Sequence, residues 1–189
     1  MRGVKGIICM AASALISLLC TEASAQRTMR GQPFVGAEGG PGILPGDIAA
    51  GGVRAGQYLS GAYWAAGAAA SVSGQGLSSG DRMEYLRISA YGDWMWRLAG
   101  TRDRSLSLYA GAGLFLGYEA YDPRRRLPGY IETGTGAGAF IYGARARLES
   151  EIFVIRTAAV TLGITPAAVF GSRLDRFSCN AQIGIRIML

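Results

Sequence analysis

Apolar and polar side chains alternate along most of this chain with a period of two. In Leu106–Tyr118 the even positions are Leu106, Leu108, Ala110, Ala112, Leu114, Leu116 and Tyr118, while the odd positions are Ser107, Tyr109, Gly111, Gly113, Phe115 and Gly117. Successive side chains of a strand point to opposite faces, so this segment predicts one continuous apolar face and one small or polar face. The same alternation fills Arg82–Leu98, where Leu86, Ile88, Ala90, Trp94, Trp96 and Leu98 interleave with Arg87, Ser89, Tyr91, Asp93 and Arg97. Phe140–Glu149 and Val154–Phe170 repeat it, and Ile183, Ile185, Ile187 and Leu189 close the chain against Gln182, Gly184, Arg186 and Met188. Pro33–Gly40, Gly56–Trp64 and the Ala/Ser-rich Ala66–Ser73 complete a predicted set of eight strands.

Long amphipathic strands in even number suit an all-β fold, an eight-stranded antiparallel up-and-down β-barrel of the outer-membrane type. Leu106–Tyr118 is longer than the five or six residues of an ordinary strand and meets the roughly 9–11 that a tilted membrane-crossing strand needs. With both termini on one side, short turns are expected near Ala65, at Thr101–Arg104 and near Ser150–Glu151. Longer outward connections are expected at Gly42–Ala55, Gly74–Asp81 and Tyr121–Gly136, and a brief one at Gly171–Asp175.

Alternation does not by itself say which face is inside. A soluble, lipocalin-like barrel would turn Leu106, Leu108 and Leu114 inward, whereas a membrane barrel turns them to lipid. The candidate inner face favours lipid outside. It carries Glu38, Arg87, Asp93, Arg97, Glu119, Arg145, Arg147, Glu149 and Arg186, mixed in sign as an ion-paired lumen requires. Trp94 and Trp96 sit near one strand end, where an interfacial aromatic girdle belongs, and Arg156 is expected near an interface. Eight strands enclose a space filled by their own side chains, so no wide pore is expected.

The start of the chain has the form of a secretory signal. Arg2 and Lys5 precede an apolar run over Gly6–Leu19, and Ala23-Ser24-Ala25 offers small residues for cleavage after Ala25. Residues 1–25 are therefore expected to be a signal peptide and residues 26–189 a single β-barrel domain. The apolar run is short for a transmembrane helix, which needs about 20 residues. Large Leu19 before Cys20 argues against lipidation there. Cleavage would leave Cys179 as the one cysteine, which excludes an internal disulfide.

Composition narrows the chemistry. The chain has no histidine, a net charge of +6 and 29 glycines in 189 residues. Without histidine the commonest general base, the Ser–His and Cys–His nucleophiles and the usual zinc ligands are all missing, so no enzymatic activity, catalytic residue, metal or other cofactor is expected. The glycines fall at alternate positions inside apolar runs, as in a tightly curved sheet with a small inner surface. Gly134-Thr135-Gly136-Ala137-Gly138 is not followed by Gly-Lys-Ser/Thr and is not a phosphate loop. Arg124-Arg125-Arg126, between Pro123 and Pro128, forms a candidate loop interaction patch for lipopolysaccharide phosphate, nucleic acid or an acidic partner, or simply a solvated charge cluster.

Several segments together resemble the TraO family of conjugative-transposon transfer proteins. They are Ala23-Ser24-Ala25-Gln26-Arg27, Gly117-Tyr118-Glu119, Phe140-Ile141-Tyr142-Gly143-Ala144-Arg145-Ala146-Arg147-Leu148-Glu149, and Arg176-Phe177 with Ile183-Gly184-Ile185-Arg186. The resemblance covers most of the chain after the signal and is strongest from about Tyr109 onward; the Ala/Gly-rich stretch between Ala49 and Ala70 departs from it. It implies a structural outer-membrane component of a conjugal DNA-transfer (type IV secretion) apparatus. The expected partners are outer-membrane lipid and other proteins of that apparatus, with neither direct nucleic-acid binding nor a small-molecule substrate. The alternatives are a general surface barrel for adhesion or envelope stability, and the soluble periplasmic binding barrel.

Overall fold

A computed structural model of the chain describes residues 30–76, 82–101, 105–121, 138–172 and 176–189. Eight strands follow one another: β1 (Pro33–Pro41), β2 (Asp47–Tyr58), β3 (Ala62–Gly76), β4 (Arg82–Gly100), β5 (Leu106–Tyr121), β6 (Gly138–Ile155), β7 (Ala158–Phe170) and β8 (Phe177–Met188). Each pairs antiparallel with the next, and β1 pairs with β8 from Phe34↔Met188 to Gly39↔Ile183, closing the barrel. Closure leaves no free sheet edge, so the backbone polar groups are satisfied within the wall.

The alternation sets which face is which. Leu106 and Leu114, the second 71% exposed, point outward, as do Val53, Ile88, Leu116, Ile183 and Ile185. The charged set between them is buried, Arg97 excepted. This arrangement is the reverse of a soluble barrel with a greasy centre. Aromatic residues mark both ends of the outer wall. Trp64 lies opposite Trp94 on β3 and β4, with Trp96 beside them, at the end that carries the short turns. Tyr118 faces Phe140 and Tyr142 faces Phe170 at the other end, where Phe177 also lies. Two such girdles, with aliphatic side chains between, are what a membrane-spanning barrel presents to the two interfaces.

The first strands differ from their expected bounds. Gly42–Ala55 is not a long loop: β2 starts at Asp47, and a tight turn over Gly42–Gly46 joins it to β1, with Gly46 at φ +104°. The next turn is at Leu59–Gly61, not near Ala65, and Gly61 takes φ +76° there. Ser150 and Glu151 are inside β6, and the turn expected there falls at Arg156–Thr157. In each case alternation runs on through the residues that had looked like a break.

Candidate functional site

The lumen is the chemically distinctive part of the molecule. Arg54, Arg87, Arg145, Arg147 and Arg186 are buried in it, with Glu38, Asp93, Glu119, Glu149 and Glu151. Among the described residues these five cations and five carboxylates balance, and an uncompensated charge there would cost several kcal/mol.

Strand β6 shows how the sequence builds this interior. Below the inward Ile141 and Gly143, its inward positions toward the short-turn end are Arg145, Arg147, Glu149, Glu151 and Phe153. Each second residue descends about 7 Å along the strand, so these five side chains lie at five successive levels. At the first, Arg145 grips Asp93 of β4 with both ends of its fork (2.8 and 2.6 Å) and lies 3.6 Å over the Tyr91 ring. A planar guanidinium meets a carboxylate and a ring face at once, which an ammonium could not do. At the second, Arg147 reaches across the lumen to both oxygens of Glu38 on β1, at 2.9 and 2.6 Å. It also meets Gln182 of β8, whose amide oxygen accepts from Thr165 of β7.

Glu149 is the hub. Its Oε2 receives Arg54 (2.7 Å) and Arg147 (2.9 Å), and its Oε1 receives Arg186 (2.6 Å) and the Tyr63 hydroxyl (2.8 Å). Arg186 also donates to Glu151 at 2.6 Å, and the Tyr58 hydroxyl donates to the same carboxylate. Below this level Phe34, Tyr58, Tyr63, Met95, Tyr109, Phe153 and Met188 pack together at the short-turn end. Tyr63 contacts Phe34, Tyr58 and Tyr109 edge-on, with ring centroids 5.0–5.7 Å apart. Arg186 lies 4.3 Å over the Phe34 ring, joining the ionic cluster to this apolar plug. At the opposite end a separate pair, Arg87 to Glu119 at 2.9 Å, is capped by the Ser172 hydroxyl on the same carboxylate oxygen.

Of the charged residues expected in the lumen network, Glu38, Arg87, Asp93, Glu119, Arg145, Arg147, Glu149 and Arg186 lie in it. Arg97 does not, and its placement there is corrected: it sits past the plug at the barrel end, half exposed, and donates to the Thr101 carbonyl. A register shift between Arg97 and Ala99 interrupts the regular pairing beside it. Two members of the cluster are additions. Arg54 falls in the stretch expected to be a loop, and Glu151 at a predicted turn, although Arg145, Arg147, Glu149 and Glu151 already share one parity in the sequence. Arg124, Arg125 and Arg126 lie outside the described residues. Among the described residues no group of His, Cys, Asp and Glu is placed to hold a metal ion.

Two glycines show how tightly the wall is packed around these charges. A Cβ on Gly113 would lie 2.1 Å from Asp93 Oδ1 and 2.3 Å from the Gly92 carbonyl oxygen. On Gly111 it would lie 2.1 Å from the Trp94 carbonyl oxygen and 2.5 Å from Met95 Sδ. The glycine spacing inside apolar runs is therefore the room that the lumen side chains occupy.

The barrel is similar to Neisserial surface protein A, with a TM-score of 0.63 and 12% identity over 82% of this chain and 96% of that one. It is also similar to the attachment invasion locus protein Ail of Yersinia pestis (TM-score 0.54, 10% identity, 85% and 100% covered). A third likeness is to the N-terminal β-barrel domain of OprF from Pseudomonas aeruginosa (TM-score 0.51, 11% identity, 85% and 98% covered). At these identities the likeness is one of fold, that of small outer-membrane β-barrels. No curated protein sequence matches the chain. A family described as conjugative transposon protein TraO matches residues 81–189. The match takes in β4 to β8 and so four of the five inward carboxylates and four of the five inward arginines, and leaves out the Ala/Gly-rich β2 and β3. It spans more than half of the sequence, and the chain accordingly belongs to the conjugative transposon protein TraO family.

Proposed function

We propose that this protein is a structural outer-membrane component of a conjugal DNA-transfer apparatus of the type IV secretion kind, exported through a cleaved signal peptide and without catalytic activity. One observation carries the reading: in a chain of the conjugative transposon family, the barrel has a lipid-compatible outer wall and a lumen filled by a neutral ionic cluster over an aromatic plug. A filled lumen of this kind is suited to anchoring and docking. Among the described residues the ionic cluster and the plug fill the middle of the barrel, which does not suit a channel for DNA. Its partners are then outer-membrane lipid and other proteins of the apparatus, and its contribution to transfer is mechanical.

Deletion of the gene from a donor cell should lower transfer frequency by orders of magnitude, and the wild-type gene in trans should restore it. The protein should fractionate with the outer membrane and run faster on gels when unheated than when boiled. Unchanged transfer in the deletion strain would remove the apparatus role, and recovery in the soluble periplasmic fraction would remove the outer-membrane placement.

A further inference from the structure

The short-turn end of the barrel is charged very differently from the lumen behind it. Arg30 precedes β1, Arg97 lies near the end of β4, and Arg156 sits in the β6–β7 turn, and all three are at this end. Among the described residues no exposed carboxylate accompanies them: Asp47 and Glu84 are at the other end, and Glu151 is buried against Arg186 and Tyr58. At this mouth is a cavity of about 140 Å³ lined by Arg30, Arg97, Tyr58, Tyr109 and the Leu59–Ala62 turn. Since one water takes up about 30 Å³ of liquid, the space admits a carboxylate-bearing side chain. Two guanidiniums at its wall supply charge-assisted hydrogen bonds in the fork geometry that a carboxylate matches.

We propose that this mouth is a docking site for an acidic segment of a protein partner, with one Asp or Glu side chain of the partner entering between Arg30 and Arg97 and Arg156 attracting the rest of the segment. The pocket is lined by the Leu59–Ala62 turn and the inward-facing Tyr58 and Tyr109, and by none of the outward apolar side chains of the wall. A polypeptide approaching the barrel end meets this lining directly. Among the described residues the lumen sets five arginines against five carboxylates, while this end presents Arg30, Arg97 and Arg156 with no exposed acidic side chain beside them, and an acidic partner supplies the counter-charge. The inference rests on the proposed function only in placing this end toward the periplasm, where the rest of an envelope apparatus is.

The test uses the full barrel without its signal, with Arg124, Arg125 and Arg126 each replaced by Gln so that the loop patch cannot capture the peptide, refolded in zwitterionic detergent, and a fluorescent hexaglutamate peptide followed by anisotropy at low salt. This parent barrel should bind the peptide and lose it as salt rises. The double variant Arg30→Gln/Arg97→Gln should bind at least about tenfold more weakly, the loss expected for two charge-assisted contacts. Arg176→Gln, at the opposite end, should bind as the parent does. Heat-modifiable mobility checks that each variant is folded; should the double variant not fold, Arg97→Glu alone should abolish hexaglutamate binding. Three results would overturn the proposal: no binding by the parent, equal binding by the charge-removed variants, or displacement of the peptide by inorganic phosphate at the peptide's own concentration, which would mark a general anion site. The binding assay does not depend on transfer, so loss of the apparatus role would leave its result standing, and the reverse also holds.

Discussion

The two halves of the lumen are built from the same residue types but wired differently. Toward the short turns, Arg54, Arg147 and Arg186 share Glu149, and Glu38 and Glu151 complete a six-membered cluster drawn from β1, β2, β6 and β8. Toward the loops the salt bridges are Arg145–Asp93 and Arg87–Glu119, the first packed on the Tyr91 ring and the second on the Tyr85 ring and the Ser172 hydroxyl. Burying an ion pair brings little net stability over an apolar packing of equal volume, but removing one partner strands the other. The damage done by a deletion should therefore follow how many charges depend on the deleted group, more than how deeply it is buried. Glu119 and Glu149 are both fully buried, so they separate the two explanations.

The largest effect is expected for Glu149→Ala, which leaves three arginines competing for two carboxylates. It should cost about 5 kcal/mol, seen as a lowered urea midpoint for the refolded barrel or loss of the fast-migrating folded band. Asp93→Asn breaks one bidentate pair while the Tyr91 ring still covers Arg145, and about 3 kcal/mol is expected in the same assay. If Asp93→Asn costs as much as Glu149→Ala, the hub has no special standing and the contrast between halves is lost. Gly113→Ala tests the loop-side half from the wall and not from its charges: the added methyl meets Asp93 and backbone, and about 2 kcal/mol is expected. A loss of about 1 kcal/mol is expected for Glu119→Gln, because its amide oxygen still accepts from Arg87 and Ser172. The smallest effect is expected for Gly163→Ala, where the nearest atoms are 3.3 Å or more away and the change should be close to neutral.

The loop-side half was also the more legible in the sequence. Arg87, Asp93, Glu119 and Arg145 lie in β4, β5 and β6, whose outward positions are Leu, Ile, Trp, Phe and Tyr, so apolar and polar parity is unambiguous. The cluster half draws on β1 and β2, where outward Ala37, Ala49, Gly51 and Ala55 differ little in hydropathy from inward Ala50, Gly52 and Gly56. Period two is present there without contrast, so Arg54 fell into an expected loop. The plug was hidden for another reason. Tyr58, Tyr63, Met95 and Tyr109 are inward residues as apolar as many outward ones, and only their parity relative to Arg54, Asp93 and Arg97 betrays them. Arg97 itself has the inward parity of β4, but the strand reaches the barrel end there, and parity carries no information on height.

The way the β6 charges are spaced has a consequence for how the barrel finds its pairing. Sliding β6 by one residue against its neighbours would expose arginines to hydrocarbon, and lipid alone forbids it. Sliding it by two offends neither lipid nor the backbone: every greasy side chain still faces out and nearly every ladder bond can re-form. Only the cross-lumen partners object. A two-residue slip brings Glu149 to the height of Arg147, opposite Glu38, and takes Arg147 to the height of Arg145, away from it. The order Arg-x-Arg-x-Glu-x-Glu thus acts as a key that fits at a single depth, choosing among alignments that the membrane itself regards as equivalent.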